Sequence, residues 1–224
     1  MFFLSLSTTI FDLMVDNQQQ QQQQQDSHLQ TIIHQCHQIT DRGYQIINLI
    51  GTGSYAYVYK AKQIRTNRSV AIKFINFNKC SNHYRKNFLR YEVHIIRILN
   101  DRPHINIVNF IEAFNINQPI DGYVIVMEYI ENGTLRDRII KNGKQTEKIA
   151  RKLFRAICNG LFHMHENQIA HRDLKLDNIL LDTDDRPKIC DFSLSIIWTN
   201  HDQSKLCEDY CGTELYYPPE IGRK

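Results

Sequence analysis

Residues 44–76 read YQIINLIGTGSYAYVYKAKQIRTNRSVAIKFIN, and the turns within this stretch decide the fold. Strands are predicted over Tyr44–Gly51, Tyr55–Gln63 and Ser69–Asn76, because β-branched and aromatic residues fill each and turn-formers such as Thr66-Asn67 separate them. Between the first two lies Gly51-Thr52-Gly53-Ser54-Tyr55-Ala56-Tyr57-Val58, a G-x-G-x-x-A-x-V element. A dinucleotide-binding fingerprint would open a helix at this point, whereas Val58-Tyr59-Lys60-Ala61-Lys62 continues as a strand, so the loop caps a hairpin. Glycines at such a tip let backbone amides approach phosphate oxygens closely. Taken alone, the element also reads as a plain glycine hairpin.

Beyond the third strand, Phe88, Tyr91, Ile95, Ile96 and Leu99 recur at helical spacing over Lys86–Leu99, and Asn100-Asp101-Arg102-Pro103 stops that helix. Two further strands, Val108–Phe114 and Tyr123–Tyr129, flank the turn residues Asn117–Gly122. Thr134 then caps a short helix, and Thr146-Glu147 opens a longer one running to about His165. Five strands with one inserted helix, followed by a helical region, define an α+β chain.

Before Tyr44 the chain changes character. Gln18–Gln25 is an unbroken run of eight glutamines, a polar tract that cannot bury enough apolar area to offset chain entropy. Residues 1–43 are therefore expected to form a low-complexity tail, with at most a short helix between Gln30 and Asp41. The apolar start Met1–Val15 lacks a basic n-region and is interrupted by Asp12, so neither a signal peptide nor a spanning helix is expected. His34, Cys36 and His37 match no zinc spacing.

The 27 Lys and Arg against 24 Asp and Glu leave a net charge of +3, too small to indicate a nucleic acid or an anionic membrane as partner. With 42% hydrophobic and 23% charged residues the chain is neither collagen-like nor wholly disordered. Six cysteines without a C-x-x-C pair and without a leader read as free thiols in a reducing compartment, the cytoplasm with the nucleus as an alternative.

Val70-Ala71-Ile72-Lys73 is where the chain begins to resemble the protein kinase family, and the remaining motifs follow in order. His171-Arg172-Asp173-Leu174-Lys175-Leu176-Asp177-Asn178 is similar to the family's catalytic loop, Asp191-Phe192-Ser193 to its D-F-G, and Gly212–Glu220 to the segment ending in A-P-E. The resemblance covers Tyr44–Lys224 and implies a two-lobed fold: an N-lobe over about 44–126, a hinge at 127–133 and a partial, mainly helical C-lobe over 134–224. It further implies that Lys73, paired with Glu92, holds the α- and β-phosphates of ATP; that Asp173 takes the substrate hydroxyl proton; and that Asn178 and Asp191 hold magnesium. By the same resemblance Gly51, Thr52, Gly53, Ser54, Tyr55 and Ala56 cover the phosphates. Met127 is the gatekeeper, Glu128–Ile130 the adenine hinge, and Val58, Ala71 and Leu180 sandwich the ring. Ile96, Phe110, His171 and Phe192 would stack into a spine, which makes His171 a packed residue and no general base.

Phosphoryl transfer spreads negative charge over phosphate oxygens, so such a site needs positive charge and positioning more than covalent chemistry. Lys175 and Thr213 resemble residues of the serine/threonine-specific members, so a protein hydroxyl of that type is the expected acceptor. Asp177 stands where some members read basic substrate side chains, and a basic-directed preference follows as an expectation. Ser193 replaces a glycine and would carry a cost on the order of 1 kcal/mol if its site needs φ > 0. Asp209 occupies the place of an activating phosphothreonine and is expected to act as a partial phosphate mimic toward Arg172, carrying one charge where phosphate carries nearly two. Because the sequence stops four residues after Glu220, the C-lobe is expected to be incomplete and the apolar face of Ala150–His165 to lack cover. The alternative function is a catalytically inactive kinase-like module that binds ATP or a protein partner.

Overall fold

The computed structural model describes residues 36–81, 89–117, 121–198, 211–217 and 219. Five strands form one antiparallel sheet: β1 (Tyr44–Thr52), β2 (Ala56–Gln63), β3 (Ser69–Asn76), β4 (Phe110–Ile116) and β5 (Gly122–Glu128), in the order β1-β2-β3-β5-β4. A short helix α1 (His37–Asp41) precedes them and α2 (Arg90–Asp101) is inserted after β3. After β5 come α3 (Leu135–Asn142), α4 (Glu147–Glu166) and the short strands β6 (Ile169–Ala170), β7 (Ile179–Leu181), β8 (Pro187–Ile189) and β9 (Ile196–Ile197). The last four pair as two small ladders, β6 with β9 and β7 with β8.

The sheet is buried on both faces, and alternation along β3 shows how. Val70, Ile72 and Phe74 enter one cluster with Tyr57, Tyr59 and Val124, while Ile75 joins a second cluster with α2 and the helical half of the chain. The first cluster is closed by α1, whose Ile39 is fully buried together with Cys36. Arg42 supports this closure by pairing with Glu112 at 3.0 Å and lying 4.4 Å over the Phe114 ring, and the Tyr44 hydroxyl donates to Glu112 at 2.7 Å. Among the described residues, 36–43 thus pack on the sheet although they fall inside the stretch expected to be tail, because one apolar face of the sheet needs a cover that the strands cannot supply. His34 and the glutamine run lie outside the described residues.

Strand boundaries differ from expectation where tertiary bonds compete. Val108 was expected in β4, yet its N–H donates to the Ile189 carbonyl at 3.0 Å, so β4 starts at Phe110. The inserted helix begins at Arg90 among the described residues, and Lys86–Phe88 lie outside them. Thr134 and Asp137 form a reciprocal capping box at α3, and the Thr146 hydroxyl accepts from Ile149 N–H at the start of α4. Helix α4 buries Leu153, Gly160 and Met164 and leaves Phe154 and Phe162 on an uncovered face, 68% and 64% exposed. No helix among the described residues is long and apolar enough to cross a membrane, and Cys36, Cys158 and Cys190 are free thiols.

Candidate active site

The alternation that sends Val70, Ile72 and Phe74 into the outer cluster turns Ala71 and Lys73 to the opposite face. There the Lys73 ammonium bonds Glu92 Oε1 on α2 at 2.7 Å and Asp191 Oδ1 at 2.8 Å. Lys73 and Glu92 are buried, whereas the Asp191 side chain is 40% exposed. The two acids respond differently to the shared cation. Burial raises the Glu92 carboxyl above its ordinary value, with Lys73 opposing and Asp191 adding to the rise. Burial also disfavours charge on Asp191, but the charge and hydrogen bond of Lys73, with a contribution from the Ser193 side chain, outweigh it and hold Asp191 well below the usual carboxylate range. The second Glu92 oxygen is buried without a hydrogen bond.

A second cluster lies on the loop after β6. Asp173 Oδ2 accepts from Lys175 Nζ at 2.8 Å and from Asn178 Nδ2 at 3.2 Å, while Oδ1 accepts from the Thr213 hydroxyl at 2.7 Å. Lys175 also donates to the Thr213 oxygen at 2.8 Å, and Asn178 to the Asp173 carbonyl at 2.8 Å. Sharp backbone conformations aim these groups: φ is +63° at Arg172 and +62° at Asp191, a left-handed geometry costing about 1–3 kcal/mol in non-glycine residues. Ser193 is not among the positive-φ residues, so the backbone penalty attached to replacing a glycine there does not arise. The strain sits on Asp191 instead.

His171 packs 5.7 Å from the Phe192 ring, donates from Nε2 to the Cys190 carbonyl at 3.0 Å and accepts at Nδ1 from Asp173 N–H at 3.3 Å. Burial lowers its pKa, and with both nitrogens engaged it packs as a neutral ring beside the site. Phe192 and Ile96 share one core cluster, and Phe110 packs against it. Burial, then the Asp191 charge, push the neighbouring Cys190 thiol up to about 12, which leaves it protonated and poorly nucleophilic.

The glycine-rich element forms the predicted hairpin, with Gly53 N–H donating to the Ala56 carbonyl at 2.8 Å. Thr52, Ser54 and Tyr55 are exposed around the tip. At Gly51 and Gly53 an added Cβ would meet only Val58 and the Ala56 carbonyl, each at 3.7 Å, so packing leaves the space beside the loop open. Val58 stands opposite Lys73 in the β2–β3 ladder and Ala71 opposite Met127 in the β3–β5 ladder. Leu180 bridges to Thr134, just past Ile130 and the hinge. The Glu128 side chain turns away from this face: Oε1 accepts from Asn109 N–H at 2.7 Å and from Lys188 Nζ at 2.6 Å. Lys188, buried on β8, was not singled out in the sequence, where a lysine between Pro187 and Ile189 carries no periodic signal.

Asp177 does not present an uncompensated charge, because Arg136 Nε on α3 lies 3.6 Å from its carboxylate. Arg172 Nε donates to the Leu194 carbonyl at 2.7 Å, while Asp209, its expected partner, lies outside the described residues together with Cys207 and Glu220.

The donor chemistry suits magnesium. Asp191 and Asn178 offer a carboxylate and an amide oxygen, both hard donors, and no group of three metal-ligating side chains exists among the described residues. A cation that completes its shell with water and phosphate oxygens fits such a sparse donor set.

A protein kinase domain model matches residues 44–224. The human NUAK family SNF1-like kinase 2 is 38% identical over 188 residues, 84% of this chain and 28% of that protein. The probable serine/threonine-protein kinase MARK-C of Dictyostelium discoideum is 36% identical over 178 residues, 80% of this chain and 22% of that protein. The CBL-interacting serine/threonine-protein kinase 20 of Arabidopsis thaliana is 35% identical over 184 residues, 82% and 40% respectively. The chain therefore spans well under half the length of these relatives. With the two lysine–aspartate clusters in the order and geometry described above, the match makes the chain a member of the eukaryotic serine/threonine protein kinase family.

Proposed function

We propose that the chain transfers the γ-phosphoryl group of magnesium-bound ATP to a serine or threonine hydroxyl of a protein substrate. The observation that carries this reading is the Lys73 ammonium, bonded at once to Glu92 and to Asp191 across 118 residues of sequence. That arrangement fixes a cation beside the acid best suited to hold a metal. Asp191 and Asn178 would hold magnesium, whose charge counters that of the phosphate oxygens when it is bound. Lys73 orients the α- and β-phosphates, and the open hairpin tip at Gly51–Ala56 brings amides to them. Asp173, already accepting from the Thr213 hydroxyl, is placed to accept from a substrate alcohol and to orient it. Lys175 stabilises the charge that develops beside it.

One observation favours a second reading, a nucleotide-binding module without transfer: both Asp173 oxygens are engaged within the chain. Transfer of labelled phosphate from ATP to a serine- or threonine-containing peptide separates the two, with Asp173→Asn as control. Labelled phosphoserine or phosphothreonine that disappears in the variant supports the kinase. A nucleotide-dependent thermal shift without any labelling supports the module. Neither signal, with a folded protein, ends both.

A further inference from the structure

Away from the lysine clusters, two imidazoles stack where the loop after α2 meets α4: the His104 and His163 rings lie 5.0 Å apart and 22° from parallel. We infer that His104 and His163 form an acid-sensitive latch tying the loop that follows the Glu92-bearing helix to α4.

Hydrogen bonding fixes the tautomers. The His163 Nε2–H donates to the Arg102 carbonyl at 2.7 Å. His104 Nδ1 accepts from Asn106 N–H at 3.1 Å, so in the latched state this nitrogen is bare and His104 is neutral. Protonation at Nδ1 replaces an acceptor with a second donor facing the Asn106 N–H and sets a positive ring against its stacked neighbour. The backbone around the pair has little room to adjust. Asn106 donates from its side chain to the Pro187 carbonyl at 2.8 Å and accepts at its own carbonyl from Ile189 N–H at 2.8 Å. On the α4 side, a Cβ added to Gly160 would lie 3.0 Å from that same Asn106 carbonyl, so helix and loop are in close approach.

The charged surroundings resist a proton. The groups facing His104 are His163 on α4 and Lys188 on β8; Asp101 and Arg102, which end α2 and start the loop, are exposed. Behind Lys188 lies Glu128, whose carboxylate the Lys188 ammonium already holds at 2.6 Å. Among the described residues no carboxylate pairs with either imidazole. Burial, then His163 and Lys188, lower the His104 pKa. A histidine whose folded pKa is depressed contributes stability that is complete above its unfolded value, about 6.5, and is lost as pH falls through the folded value. The latch therefore loosens in acid.

The test is thermal unfolding of the full chain at about pH 7.5 and about pH 5.5, for the wild type, His104→Asn and His163→Phe. Asparagine keeps an acceptor for Asn106 N–H and phenylalanine keeps the stacked ring, and neither titrates. Buried His171 contributes alike in all three proteins, so it drops out of the differences. The wild type is expected to lose at least about 3 °C more than His104→Asn on acidification, with His163→Phe, which keeps the buried His104 but removes its stacked imidazole, falling between them. Equal losses in all three overturn the latch. Should the variants fail to fold, titration of assigned imidazole resonances in labelled wild-type protein decides: His104 titrating below about 6.5 supports it, and at or above that value removes it.

Discussion

Lys73 and Lys175 each bond an aspartate at 2.8 Å, yet the two pairs are built for different tasks. Lys73 reaches Asp191 across 118 residues and shares its charge with buried Glu92, so this cluster joins the sheet, α2 and the loop after β8. Lys175 is two residues from Asp173 and gathers only its own loop, Asn178 and Thr213. A long-range pair fixed in the interior contributes to the fold as well as to the site. A local pair, part-buried but held mainly within its own loop, contributes to chemistry and little to joining distant elements.

The sharpest way to break this contrast is Lys73→Met. Removing the cation leaves Glu92 and Asp191 facing each other without compensation. A loss of about 2–3 kcal/mol is expected, below the value for a wholly buried pair because Asp191 is 40% exposed. Phosphate transfer should fall by at least about a hundredfold in the same protein. Chemical denaturation and a labelling assay read the two losses together, and an unchanged unfolding midpoint would show that the cluster serves the site alone. Lys73→Arg, which keeps the charge but not the shape, should recover most of the stability and little of the activity.

Asp173→Asn tests the other side. The amide keeps the volume; its one oxygen can still accept from Lys175 and Asn178, and its NH2 can donate to the Thr213 oxygen once that hydroxyl turns, so stability should stay within about 1 kcal/mol of the wild type. Transfer should drop by about a thousandfold, because an amide cannot take the hydroxyl proton. A nucleotide-dependent thermal shift should survive, since the Lys73 cluster is untouched. Loss of that shift would mean that the two clusters are one unit.

The same contrast explains what the sequence could reveal. The β1–β3 stretch, the Lys73 strand, the helix of Glu92 and the loop from His171 to Asn178 were legible because each is a local pattern: alternation, helical spacing, or a fixed run of residue types. The cover of the sheet by Ile39 was not, since a five-residue helix after a polar tract has no periodicity to detect. Neither was the capture of Asp177 by Arg136, forty-one residues earlier, nor that of Glu128 by Lys188, because pairings between distant charges leave no trace in spacing. Val108 was misplaced in β4 for a related reason: its β-propensity is real, but the partner it finds is Ile189 and not the sheet.

Thr213 brings the distant segment 211–217 to the local cluster, so Thr213→Ala asks how local that cluster is. It removes the hydrogen bond to Asp173 and the acceptor for Lys175, each worth about 1 kcal/mol. Transfer should fall about tenfold, with Thr213→Ser restoring it. A fall as large as that of Asp173→Asn would place Thr213 among the groups that act on the substrate directly.

The smallest effect belongs to the rim. Asp177 was expected to favour basic substrates, but Arg136 at 3.6 Å compensates its charge, and the pair is exposed, with side-chain accessibilities of 55% and 45%. Exposed pairs of this kind are worth about 0.2–1 kcal/mol, which sets the ceiling on any change in selectivity. Arg136→Ala should therefore raise the rate on peptides with arginine or lysine near the acceptor by at most about fivefold over neutral peptides, and the gain should shrink in high salt as screening replaces the lost guanidinium. A peptide array run on both proteins at two salt concentrations reads this directly. No change at low salt would mean that Asp177 does not face the substrate at all, so that neither charge of the rim pair takes part in choosing it.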